Sequence, residues 1–72
     1  MPIIDFSEVL KIKDAVKEKF GEKVHFHDAC GGQYFTLEKT NPEIVEFIKT
    51  FMLNQGYKAD FDPKGFSFTL ED

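Results

Sequence analysis

The sequence predicts a two-layer α+β sandwich in the order αββαββ, with one four-stranded sheet and two helices on one of its faces. Three observations predict it. Two segments repeat apolar residues at three- and four-residue steps, the period of a helix buried on one side. Each is followed by two stretches that alternate around a turn signal, the period of half-buried strands. Gly21 and Gly56 close the two helical segments at equivalent places. The chain thus reads as a pseudo-repeat in architecture, though not in residue identity, and residues 1–72 form a single domain.

The first helix is expected over Phe6 to Phe20. Asp5 followed by Glu8, or Ser7 as cap, supplies the start signal. Phe6, Val9, Ile12 (or Ala15), Val16 and Phe20 form its apolar stripe, with Lys11, Lys13, Lys17, Glu18 and Lys19 mostly off it. Residues 23–29 alternate as a strand, Gly31-Gly32 is the turn, and residues 33–38 return. Asn41 caps the second helix and Pro42 takes its first position. Ile44, Ile48, Phe51 and Met52 form the stripe, which Val45 and Phe47 widen. Tyr57 to Phe61 is the third strand, Asp62-Pro63-Lys64-Gly65 the turn, and Phe66 to Leu70 the fourth strand. Met1 to Ile4 is a candidate short edge strand.

Hairpin register places the side chains. A two-residue loop at Gly31-Gly32 pairs Cys30 with Gln33, His27 with Thr36, Phe26 with Leu37 and His25 with Glu38. Val24, Phe26, Phe35 and Leu37 then face the helices, while His25, His27, Tyr34, Thr36 and Glu38 face away. In the second hairpin Tyr57, Ala59, Phe61, Phe66, Phe68 and Leu70 face inward, opposite Lys58, Asp60, Ser67 and Thr69.

Composition narrows the function classes. A chain of this length buries only about 60% of its unfolded surface, and nine Phe supply the missing core. The net charge is −4 and every basic residue is Lys. Without guanidinium forks or a basic block, neither nucleic acid nor an anionic membrane surface is an expected partner. No signal-peptide pattern and no spanning run is present, which makes the cytoplasm the expected compartment, with the single cysteine reduced.

Chemistry concentrates in residues 25–33, which hold both histidines, the only cysteine and two of five glycines. His25 and His27, at i and i+2, share one strand face with Cα atoms about 6.6–6.8 Å apart. With Cys30 they make a candidate metal set; Glu38 offers a two-His-one-carboxylate alternative. Zinc and iron are the candidate metals, and a site of this kind is open or shared across a dimer. Cys30 before two glycines is also a candidate thiolate, with His27 or Asp28 to move a proton. The binding candidates are Cys30, Asp28, Gly31, Gly32 and Gln33. Ordinary structural roles account for the same residues: exposed strand histidines, an inert cysteine, an Asx-type turn at Asp28 and a glycine turn.

The segment His27-Asp28-Ala29-Cys30-Gly31-Gly32-Gln33 resembles a small uncharacterised bacterial family with an Arg-Asp-Ala-Cys signature followed by Gly-Gly-Gln. That family implies no established activity. His27 stands where the signature has Arg, which does not ligate metals, and Asp28, Cys30, Gly31, Gly32 and Gln33 are the shared part. Two readings stay open: an accessory protein that binds metal or carries thiol chemistry at the Cys30 turn, and a structural or protein-interaction module, alone or as a homodimer. An enzyme ranks below both, because so short a chain offers little room for a pocket of about 300 Å³ or more.

Overall fold

Two αββ units share one antiparallel sheet. The computed structural model describes residues 5–29 and 32–71, so the candidate strand at Met1 to Ile4 and the residues Cys30 and Gly31 lie outside the described part. The elements are α1 (Phe6–Phe20), β1 (Val24–Ala29), β2 (Gly32–Leu37), α2 (Pro42–Asn54), β3 (Lys58–Phe61) and β4 (Ser67–Glu71). The strand order is β1-β2-β4-β3, which leaves β1 and β3 at the edges and joins the two halves of the sheet through β2 and β4. This is the αββαββ sandwich that the sequence predicts.

The helices start and stop for local reasons. In α2 the Asn41 side chain accepts the Ile44 N–H at 2.9 Å, and Pro42 loses no bond by lacking a donor at the first position. In α1 the Asp5 backbone carbonyl accepts from Glu8 and Val9, but its side chain makes no capping bond. The expected capping box does not form, because the Glu8 carboxylate pairs with Lys11 at 3.1 Å instead. Gly21 ends α1 at φ 72°, a left-handed conformation with little cost only for glycine.

The core lies between the helices and one sheet face. Val9, Ile12, Val16, Ile44, Ile48 and Met52 come down from the helices onto Val24, Phe35, Leu37, Ala59, Phe68 and Leu70. Across its middle the sheet carries one row of four phenylalanines. Phe26 opposes Phe35, Phe35 opposes Phe68, and Phe68 opposes Phe61. Their ring centroids are 5.0, 4.7 and 4.7 Å apart, and Phe35 and Phe68 are parallel to within 3°. The two αββ units meet in the sheet at Phe35 and Phe68, the middle pair of that row.

Three expectations change. The first hairpin closes with Ala29 opposite Gly32, not Cys30 opposite Gln33, so its register is shifted by two residues. A two-residue shift leaves every side chain on its expected face. The expected register would have set Phe35 against Asp28; the observed one sets it against Phe26 and completes the aromatic row. Phe6, expected in the buried stripe, is 67% exposed: it opens the helix and lies outside the core. Phe66, expected inward on the fourth strand, is 44% exposed, because β4 begins one residue later and Phe66 belongs to the turn.

That turn is tied by Asp62. Its carboxylate accepts the N–H groups of Phe66 (2.8 Å) and Ser67 (3.0 Å), while its carbonyl accepts from Gly65. The Ser67 N–H first, with those of Phe66, Gly65 and Lys64, holds the Asp62 carboxyl below its ordinary value of 3.8, against a smaller opposing push from desolvation.

Candidate functional site

The uncovered sheet face is built by alternation. Because even-numbered side chains of β1 turn toward the helices, His25 and His27 turn away, as expected, and Tyr34 and Thr36 of β2 join them. Ser67 and Thr69 continue the face on β4, and Lys58 and Asp60 on β3. The face is polar throughout, in keeping with an antiparallel sheet wet on one side.

Each histidine has a partner of its own. His27 lies opposite Tyr34, and their rings stack with centroids 4.7 Å apart and planes within 11°. His27 Nε2 and Thr36 Oγ1 share a hydrogen bond of 2.9 Å along the diagonal of the ladder, with the direction set by the imidazole tautomer. His25 lies opposite Thr36, not Glu38, yet its Nε2 still reaches Glu38 Oε1 at 3.4 Å. Both members of that pair are about half exposed, so it contributes at most about 1 kcal/mol when His25 is protonated.

Of the sequence candidates, the structure brings His25, His27 and Glu38 to the same end of the sheet but into separate pairs. Among the described residues no three His, Cys, Asp or Glu side chains gather in a group that can hold a metal ion. Asp28 is exposed and opposes Gln33 in the ladder; Gly32 opens β2 opposite Ala29 at φ 127°. Cys30 and Gly31 fall outside the described residues, so the Cys30 site keeps the standing it has in the sequence. Sequence reasoning missed Tyr34, which the expected register had set away from His27. The signal was present: both residues alternate onto the uncovered face of the first hairpin.

Clefts lie along both sheet edges, between each edge strand and its helix. One, between α1 and β1, is about 320 Å³ and is lined by Leu10, Lys13, Asp14, Lys17, Lys23, Val24 and His25. The other, between α2 and β3, is in two abutting parts of about 730 and 580 Å³. These are open and shallow but offer more room than the chain length suggests.

The fold and this face define a class by architecture: a small α+β sandwich with one bare, polar sheet surface. No known protein family, curated protein or solved structure matches the chain. The resemblance at residues 27–33 therefore rests on those residues alone. Among the described residues, no helix is long and apolar enough to cross a membrane.

Proposed function

We propose that this is a non-catalytic interaction module of the cytoplasm, and that its uncovered sheet face at β1 and β2 contacts a partner protein bearing carboxylates. One observation supports this reading above others: the polar side chains there are already held by one another. Tyr34 and Thr36 fix His27, and Glu38 holds His25. Ordered side chains on a rigid sheet cost little entropy on binding and suit recognition. The imidazoles and Lys23 supply N–H donors on this face that a partner's carboxylates can meet. A depression on the face, by Tyr34, Asp60 and Thr69, is about 290 Å³, which suits a protein surface better than a small molecule.

The metal reading draws on the same two imidazoles, which share one face two residues from each other and three residues before Cys30. Zinc or iron binding there requires His27 to leave Thr36 and His25 to leave Glu38. Calorimetric titration of untagged protein with Zn²⁺, alongside Cys30→Ser, separates the readings. Stoichiometric binding that Cys30→Ser abolishes sinks the module and establishes a metal protein. A thiol pKa well below about 8.5 by alkylation likewise moves the function to Cys30. The module predicts neither, and predicts that a captured partner identified by mass spectrometry is lost with Thr36→Glu and kept with Lys64→Glu.

A further inference from the structure

Among the described residues, the outer edge of β3 has no neighbouring strand. The direction of its backbone groups follows from two hydrogen bonds. Leu37 N–H donates to the Phe66 carbonyl at 2.8 Å, so Phe66, Phe68 and Leu70 bond toward β2, and Ser67, Thr69 and Glu71 toward β3. Asp62 N–H donates to the Ser67 carbonyl at 2.9 Å, in agreement. Lys58 and Asp60, opposite Glu71 and Thr69, therefore spend their backbone groups inside the sheet. Ala59 and Phe61 turn theirs outward, and among the described residues no backbone bond meets them.

The side chains of that edge are unusual for an unpaired strand. Those that face the helix layer (Tyr57, Ala59 and Phe61) carry no charge, so β3 lacks the inward-pointing charge that is one of the devices protecting exposed edges. The other edge has that protection: Asp28 is the inward-facing end of β1, and Lys13, Lys17 and Lys23 line its cleft. Above β3, Val45, Lys49 and Leu53 form one ridge of α2 at four-residue steps, and Leu53 is 69% exposed.

We propose that two copies pair antiparallel through β3, with the two-fold axis at Ala59. Each Ala59 then exchanges both backbone bonds with its copy, and each Phe61 N–H reaches the Tyr57 carbonyl of the other chain. Tyr57 needs no acceptor there, because its own N–H is spent on the Met52 carbonyl at 2.8 Å. On the uncovered face the same register sets Lys58 opposite Asp60 of the other copy, twice. Lys49 borders both parts of the cleft beside Lys58 and Ala59, and so marks the level of the axis. About that axis Leu53 covers the Val45 end of the opposing helix, and the two Lys49 side chains flank the axis. On the strand the register is self-complementary in its backbone groups and in its Lys58 and Asp60 charges, as a two-fold interface must be. At β1 the corresponding register opposes His25 with His27 and Asp28 with Val24, and brings lysines together. The sheet becomes eight antiparallel strands and the helix layer continues across the axis.

This uses a different surface from the face proposed above, and either can fail alone. Sedimentation equilibrium over a concentration series is the test, with far-UV circular dichroism to confirm that each variant is folded. Wild type is expected to dimerise. Asp60→Lys, an exposed position opposite Thr69, is expected to weaken the dimer by about tenfold or more, since both intermolecular pairs become repulsive. Lys58→Asp alone does the same, and the double variant Lys58→Asp/Asp60→Lys recovers most of the loss. A chain that stays monomeric at the top of the series overturns the proposal. So does a dimer that ignores both single reversals, or one that the double variant fails to restore.

Discussion

Replacing Phe35 by alanine tests the central claim about what joins the two halves. Phe35 is 1% exposed and sits in the middle of the aromatic row, against Phe26 on one side and Phe68 on the other. Truncating a buried phenylalanine costs about 3–5 kcal/mol from lost transfer energy and the cavity left behind. At about 0.05–0.15 kcal/mol per residue, a chain of this length has roughly 4–11 kcal/mol to lose. Phe35→Ala is thus expected to remove about half of the stability. Phe61→Ala, at the half-buried edge of the same row, should cost clearly less. Urea unfolding followed by far-UV circular dichroism measures both, since the chain has no Trp to report by fluorescence. A double-mutant cycle between Phe35→Leu and Phe68→Leu should return a coupling of about 0.5–1.5 kcal/mol for the stacked pair. A cost below about 1 kcal/mol for Phe35→Ala, or equal costs at Phe35 and Phe61, would refute the idea that the row is the keystone of the sheet.

Other outcomes follow from single contacts. Asn41→Ala removes the bond to the Ile44 N–H and is expected to cost about 1 kcal/mol in the same urea assay. Gly65→Ala is expected to cost more than Gly21→Ala: both glycines have positive φ, worth about 1–2 kcal/mol to any residue with a Cβ, but only at Gly65 does that Cβ meet neighbours, Thr40 and Val45 at 3.3 Å. The carboxyl of Asp62 is lowered in the folded state, so the stability it contributes is present above its unfolded value near 3.8 and is lost as pH falls through the lower folded value. Thermal melts of wild type and Asp62→Asn should therefore differ by a constant amount near neutrality and converge in acid; a gap that widens in acid would reverse the assignment.

Periodicity made the fold legible. Both helices fall where three- and four-residue spacing places them, and strand alternation assigns His25, His27, Phe26 and Phe35 to the faces they occupy. It could not assign the hairpin register, because a shift of two residues conserves all of those faces. Only the preference of Phe35 for Phe26 over Asp28 distinguishes the alternatives, and that preference depends on Phe68, which is supplied by a strand 33 positions further along and adjacent only in the folded sheet. The exposure of Phe6 was equally hidden, since periodicity says which side of a helix is apolar and not how far the sheet beneath it extends. At the candidate site, the face was legible and the pairings were not. His27 takes Tyr34 as its stacking partner and Thr36 as a diagonal hydrogen-bond partner, an arrangement fixed by register alone.

The seam between β2 and β4 also governs how the chain must come together. Both hairpins pair neighbours in sequence, and each helix lies beside a strand of its own unit, so every contact inside a half closes a short loop. Among the described residues, β2 meeting β4 is the strand pairing that spans distant parts of the chain, and α1 meeting α2, with the Phe20 and Phe47 rings 5.4 Å apart, is the matching helix contact. Loop closure there carries the largest entropic cost, and two preformed αββ halves with a single docking event make up a low-contact-order route. Docking of the halves, where Phe35 and Phe68 stack 4.7 Å apart, is then the expected slow step, and substitutions at Phe35 or Phe68 should slow folding where equal destabilisation in either outer hairpin mainly hastens unfolding.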